Sequence, residues 1–353
     1  MSLTISVPDS LRMSIEAASG GAQTVLYTAL NQPTFMNIIG AFNGPDVDAG
    51  LPSGLHPMFT VNGVAKGQIM AGTYPGVVKN GELLSLPGQD PANTLNHDQF
   101  VAYARACGTG FHCMSNVEWA GVGVQARANG FHPRGNTNWG KAYDAAWESG
   151  RRGDGGLPGV ASGTGRTQTG SGPVSWRHNG NSTGIADLCG NIWEWSPGMR
   201  INAGEIQIIA NNDAALNATD FASGSSAWKA IDGSSGALVT PGSANTVKYA
   251  TSGTAAYTLV CGSGAAFASM TNPGSTPVGA TALALLKAHG MYPVASTGLG
   301  SDDIFYLDVT SERLPFRSGS WHDGATAGLF ALHLDNDRSF AYYNIGARPA
   351  FVS

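Results

Sequence analysis

Charge is scarce in this chain. Only 12% of its 353 residues are Asp, Glu, Lys or Arg, and 24 acidic against 19 basic side chains give a formal net charge of −5. Binding nucleic acid through phosphate neutralisation needs a positive excess, so a nucleic-acid partner is not expected. Cysteine is scarce as well: Cys107, Cys113, Cys189 and Cys261 are scattered, with no C-x-x-C pair. That excludes a disulfide framework and a thiolate zinc site, and leaves free buried thiols as the expectation. No apolar run reaches the roughly 18 residues of a membrane helix, so no membrane insertion is expected. The opening Met1-Ser-Leu-Thr-Ile-Ser-Val-Pro-Asp9 has neither the basic nor the apolar region of a signal peptide, and none is expected. No internal repeat of solenoid length is visible.

Glycine is plentiful, at 49 residues, and 42% of the chain is hydrophobic with 8 Trp, 13 Phe and 10 Tyr. The first property predicts many turns, the second enough apolar surface for a sizeable core. Short strands are expected at 23–27, 34–39, 58–61 and 67–71, broken by Gly and Pro. A helix is expected from about Asn96 to Cys107, stopped by Gly108. A second is marked by the capping box Ser115-Asn-Val-Glu118 and closed by Gly130, with Val117, Ala120, Val124 and Ala128 as its inward stripe. Residues 133–174 read as ordered coil clamped by Trp139, Tyr143, Trp147 and Trp176. Strands are expected at 205–210, 247–250 and 257–261, and Thr276-Pro277 reads as the start of a helix running to His289. In Gly328-Leu-Phe-Ala-Leu-His-Leu-Asp335, Phe330, Leu332 and Leu334 alternate with Ala331, His333 and Asp335, which predicts a strand with His333 and Asp335 outward.

Three stretches carry a resemblance. Gly110-Phe-His-Cys-Met-Ser-Asn-Val-Glu-Trp119, Gly184-Ile-Ala-Asp-Leu-Cys-Gly-Asn-Ile-Trp-Glu-Trp195, and Arg317-Ser-Gly-Ser-Trp321 with Asn344-Ile-Gly-Ala-Arg348 resemble the motifs of the formylglycine-generating-enzyme (sulfatase-modifying-factor) branch of the C-type-lectin fold. Ile192 stands for the family's Val, and Ala347 for its Phe. The resemblance implies an α+β, irregular C-type-lectin-like fold with few helices, short antiparallel strands and much ordered coil. It implies one domain over 1–353, a Ser/Gly-rich insertion at about 211–274, and scaffold roles for Trp193, Glu194, Trp195, Arg317, Trp321 and Arg348, with the two arginines as partners for internal carboxylates. It also implies a structural calcium beside Asp187 and Asn191; the alternative is that Asp187 caps a turn and Asn191 bonds backbone.

The family's catalysis does not carry over. Its oxidase members hold copper on two cysteines near the C terminus, and residues 262–353 contain none. The sulfoxide-synthase members need an iron-binding histidine cluster, and no His-x-x-x-His pair occurs among the eight histidines. The expectation is therefore no enzyme and no cofactor beyond that calcium. In place of catalysis, the segment 317–348 carries Ser318, Ser320, His322, Asp323, Thr326, His333, Asp335, Asn336, Asp337, Phe340, Ala341, Tyr342, Tyr343 and Asn344, side chains with the chemistry of a paratope.

These residues resemble the variable positions of diversity-generating retroelement proteins, in which a reverse transcriptase copies a template mutated at adenines into the 3′ end of the gene. Asn codons altered at adenine yield Tyr, His, Asp, Ser, Thr, Ala, Gly and Phe. That resemblance implies a protein or glycan receptor on a host or target cell as partner, and a virion tail location, or a cytoplasmic one before assembly. The alternatives are an ordinary surface with one or two core aromatics, a structural virion protein, or a divergent enzyme, although Asp302-Asp303 and Asp335/Asp337 are poor acid pairs.

Overall fold

Turn-forming residues set the length of every element. The computed structural model describes residues 9–353, so residues 1–8, which carry most of the stretch behind the signal-peptide expectation, lie outside the described residues. Among the described residues there are five α-helices and 22 strands, the longest strand being the eight residues of Pro33–Gly40. Six of the twelve described non-glycine residues at positive φ are asparagine, the side chain that best tolerates the left-handed region after glycine. The fold is α+β, with few helices, mostly antiparallel pairing and long ordered coil.

Three sheets make up the body. The first runs Gln23–Tyr27, Pro33–Gly40, Gln68–Gly72, Pro349–Phe351 and Phe111–Cys113, every pair antiparallel. The last strand of the chain thus lies inside this sheet and draws Arg348 into the interior. The second runs Ala265–Ala266, Ile304–Leu307, Gly328–Leu334, Phe316–Ser318, Trp193–Trp195 and Ile345–Ala347. It pairs Ile304–Leu307 with Gly328–Leu334, and Trp193–Trp195 with Ile345–Ala347, in parallel. The third runs Leu238–Val239, Trp228–Ile231, Glu205–Ile209, Met199–Asn202 and Glu312–Arg313, with Lys248–Ala250 and Thr258–Val260 attached.

The segment 211–274 is built into the protein: four of its strands join this third sheet, and Ile231, Val247, Tyr249, Leu259 and Phe267 are core residues. The helix Asn116–Ala128 has the expected cap, Ser115 with Glu118, and the helix His97–Ala106 has a capping box that was not expected, Asn96 with Gln99. The second helix is buried over almost its whole circumference, so the expected stripe was too narrow, and its last member, Ala128, is exposed. A helix Ser10–Ser19, capped by Asp9 and ended by Gly20 at φ 62°, was not expected. Residues 57–59 form a 3-10 turn, and only Thr60–Val61 of the expected strand is extended.

The helix placed at Thr276 begins four residues later, as Ala280–Ala288. Thr276 instead accepts from the Tyr257 amide at 2.8 Å, and the Val278 backbone is paired in both directions with the Asn272 side chain. Those bonds hold 276–278 extended. The coil at 133–174 is ordered, but its aromatics do not all clamp it: Trp176 is buried, whereas Tyr143 is 50% and Trp147 80% exposed. Arg152 does much of that work, donating to the carbonyls of Leu157, Val160 and Ser162 and to Asp154. All four cysteines are free and buried.

Candidate functional site

The second sheet separates scaffold from surface by strand alternation. Phe316 is paired with His333 and Trp195, and Tyr306 with His333, which sets these side chains on one face. Arg317, Leu332 and Glu194 are paired in the next row and point to the other. On that inner face Glu194 is gripped by Arg348, Nε to Oε2 at 3.0 Å and Nη2 to Oε1 at 2.7 Å, with Arg348 also donating to Gly72 and Ala186 carbonyls. Both side chains are buried. Arg317 departs from the expectation of a carboxylate partner. It is buried and donates to Asn116 Oδ1 at 2.7 and 3.0 Å and to Gly290 O at 2.8 Å, and burial pulls its pKa down to about 10. The amide and carbonyl oxygens stand in for an anion.

On the other face, His333 lies among three rings, with centroids 4.5 Å from Tyr306, 5.1 Å from Trp193 and 5.3 Å from Phe316. Its Nδ1 is 2.8 Å from Asp335 Oδ1, a close contact without hydrogen-bond alignment. The chain then leaves the sheet and returns as 335–344. This loop is held through its carbonyls. Leu314 N donates to Asn336 O (3.0 Å), His97 N to Arg338 O (3.3 Å), Thr94 N to Tyr342 O (3.0 Å), and Trp193 N to Asn344 O (2.9 Å). Arg166, locked on Asp90 by two bonds of 2.9 and 2.8 Å, donates Nη1 to Tyr343 O at 2.8 Å and lies 5.6 Å over the Trp321 ring. Arg338 is a second anchor, through Glu312 and the Phe221 carbonyl.

Fastening by backbone leaves the side chains at the tip outside. Phe340, Tyr342 and Tyr343 are 36%, 47% and 41% exposed. Their rings continue one another: Phe340 to Tyr342 at 6.0 Å, Tyr342 to Tyr343 at 4.3 Å, Tyr343 to Trp321 at 5.5 Å, Trp321 to His322 at 5.4 Å and His322 to Trp139 at 5.9 Å. Beside this ribbon a depression of about 240 Å³ is lined by His333, Asp335, Asn336, Phe340, Tyr342 and Asn344 over a floor of Trp193, Phe316 and Ile345. Ala341 and His322 are exposed, and Asp323, Thr326, Asn336 and Asn344 are half-buried. Asp337 is exposed, and hydrogen bonds from Ser339 hold its carboxyl below the usual range.

Two expected members do not belong to the surface. Ser318 follows a break in strand register, takes φ 88° and gives its hydroxyl to Gly190 O at 3.0 Å. Ser320 turns its hydroxyl to His322 Nδ1 and its amide to Asp323 Oδ2. Both are completely buried. Sequence reasoning missed the contributions of Trp139, Tyr306, Asp90 and Arg166. Asp90 and Arg166 are brought together across 76 positions with no motif to mark either.

At the calcium site implied beside Asp187 and Asn191 most of the oxygens are already taken, although Asp187 Oδ1 is buried without a partner. Asn191 Oδ1 already accepts from Thr167 N, Thr167 Oγ1 and Asn136 Nδ2 at 2.8, 3.2 and 3.0 Å. Asp187 Oδ2 accepts from Gly170 N, and the Ala186 and Asp187 carbonyls face the Arg348 guanidinium. The Arg348 guanidinium supplies the positive charge at these two carbonyls. Among the described residues no group of three His, Cys, Asp or Glu side chains is placed to hold a metal.

A separate cleft of about 520 Å³ lies between 131–144 and the loop 298–303, closed at one end by Ala325 and Ala327. In its wall the buried Asp303 carboxylate accepts from Phe330 N at 2.7 Å and contacts His132 Nε2 at 3.1 Å.

No family model matches the chain, and no curated protein matches it. Among solved structures, PvdO from Pseudomonas aeruginosa is similar over 94% of this chain and 98% of that one, at 13% identity and a TM-score of 0.37. A likeness of that degree carries no argument about function. No helix among the described residues is long and apolar enough to cross a membrane.

Proposed function

We propose that this protein is a non-catalytic ligand-binding protein whose binding surface is the aromatic and polar face built by 322–323 and 333–344. The observation that carries the proposal is the way 336–344 is attached. Its carbonyls are taken by Leu314, His97, Thr94, Arg166 and Trp193, while Phe340, Tyr342 and Tyr343 stay exposed. Rigid aromatics on a fixed backbone give large contact area at little entropic cost, and polar neighbours add adaptable hydrogen bonds. Asp323, Asp335 and Asp337 make the face mildly acidic, while Arg338 is spent on Glu312 and Asp98.

Catalysis is left out of this reading for a chemical reason. Residues 262–353 hold no cysteine, and burial pushes the thiols elsewhere up, Cys107 to about 12, away from the thiolate state that binds copper or attacks. The finer proposal is that the face diversifies through a retroelement and serves receptor recognition on a target cell, in a phage tail or virion. It is supported by the residue set at 340–344, all reachable from Asn codons by change at adenine. Sequencing the gene's surroundings tests it. A near-copy of the stretch encoding 317–348, rich in Asn codons and beside a reverse transcriptase gene, is expected, and its absence would overturn the diversification. Binding of labelled protein to intact target cells, compared with Tyr342→Ala and Tyr343→Ala, tests the surface itself. Loss of about 2 kcal/mol or more, roughly thirtyfold, is expected for a central aromatic anchor.

A further inference from the structure

The 520 Å³ cleft between 131–144 and 298–303 is of the size that encloses a small ligand, and no residue of the proposed surface lines it. Its lining combines the aromatic side chains Phe131 and Tyr143 with polar groups that the fold does not use up. Tyr143 is half exposed on the wall. Ser175 also lines the cleft, but its hydroxyl oxygen is buried behind the wall. His132 uses Nε2 on Asp303 and has Nδ1 left over. Asp303 uses only Oδ2, for Phe330 N and His132. Asp302 on the rim is exposed and makes no ion pair among the described residues, whereas Arg134, the one basic residue of the lining besides His132, is tied to Asp144 at 2.9 Å.

We infer that this cleft is a saccharide site that prefers an amino sugar: the pyranose face lies on Tyr143, its hydroxyls pair with His132 Nδ1 and Asp303 Oδ1, and its ammonium meets Asp302. The chemistry selects this class. A carboxylate and an imidazole nitrogen pair with sugar hydroxyls while an aromatic ring covers the apolar face of the pyranose, and the unpaired Asp302 favours a cation and repels an anion. The inference is independent of the C-terminal surface, because Tyr143, Ser175 and Asp302 take no part in it.

Glucosamine, methyl glucoside and glucuronic acid, titrated into the full chain and followed by saturation-transfer NMR and by the Tyr143 resonances, test the site. Glucosamine is expected to bind saturably in the millimolar range, methyl glucoside about tenfold more weakly through loss of one charge-assisted contact, and glucuronic acid not at all. Asp302→Asn should bring glucosamine down to the level of methyl glucoside. Tyr143→Phe should preserve binding and Tyr143→Ala abolish it, while Tyr342→Ala leaves it unchanged. No saturable glucosamine binding, equal binding of glucuronic acid, or indifference to Tyr143→Ala would each overturn the inference. All four substitutions are at exposed positions, so the variants are expected to stay folded, and circular dichroism spectra matching the parent confirm that each reading is of binding.

Discussion

Arg166 is the side chain on which the geometry of the binding surface depends most, and its removal is a quantitative test. Three contacts would go with Arg166→Met. The pair with Asp90 is to a carboxylate that is 48% exposed, so solvent discounts it to about 0–1 kcal/mol. The charged hydrogen bond to Tyr343 O, at 2.8 Å from a guanidinium that is 7% exposed, is worth about 1.5–3 kcal/mol. The position over the Trp321 ring adds about 0.5–1 kcal/mol. A loss of about 2–5 kcal/mol follows, and it should be felt locally before it is felt globally. Urea unfolding followed by tryptophan fluorescence should show a lower midpoint with an unchanged slope. Hydrogen exchange should show the Ile345 amide, bonded to Tyr342 O at 3.1 Å, losing more protection than the Ile206 amide, bonded to Val247 O in the distant third sheet. Arg166→Lys should not restore the difference, because an ammonium cannot serve Asp90 bidentately and Tyr343 at once. A stability change under about 0.5 kcal/mol, with both amides unaltered, would refute the fastening role.

Arg348→Met should cost about 3–5 kcal/mol in thermal or urea melts, since it strands the buried Glu194 carboxylate, and adding Glu194→Gln should recover part of the loss. Burial holds the histidines down, His56 to about 3 and His178 and His289 to about 4. Their contribution is complete above the unfolded value near 6.5 and lost as pH falls towards the folded values, about 2 kcal/mol each between pH 7 and pH 5. Burial works the same way on His97, and on His132 and His112 it is overridden by Asp303 and Glu118, which raise those two pKa values; the lowered histidines outnumber the raised ones, so urea midpoints at pH 5 should lie below those at pH 7, and equality would contradict the assignment. Melting temperatures in chelator and in millimolar calcium should agree; a rise with calcium would show that the Asp187 and Asn191 region rearranges to take the ion.

Local signals in the sequence were legible where one side chain answers to a neighbour within a few positions. The capping box at Ser115 and the strand at 328–334 are of this kind; the expectation of an arginine for Glu194 was legible for another reason, since a carboxylate between two tryptophans has to be neutralised, although its partner Arg348 lies 154 positions away. Tertiary competition hid the rest. Thr276-Pro277 has the form of a helix start, yet Tyr257 and Asn272 claim its neighbourhood first. Ser318 and Ser320 have the composition of a surface and are buried by a register break that no pattern announces. Arg317 satisfies its charge on an amide and carbonyls, partners that sequence does not single out. The face itself was legible in its side chains but not in its support, because Asp90, Thr94 and Arg166 act from remote coil.

The central claim is that the side chains at 340–343 are free to change while the backbone beneath them is fixed. Randomising Phe340, Ala341, Tyr342 and Tyr343 together, over the residues that adenine changes in Asn codons can reach, and scoring protease resistance across a displayed library tests it most directly. Exposed substitutions usually cost within about 0.5 kcal/mol each, so most members should remain folded. A matched library at the buried Trp321, Leu332 and Arg348 should mostly unfold, at about 2–5 kcal/mol per site. If the two libraries lose folded members at the same rate, the aromatics at 340–343 are core and the surface proposed here is contradicted.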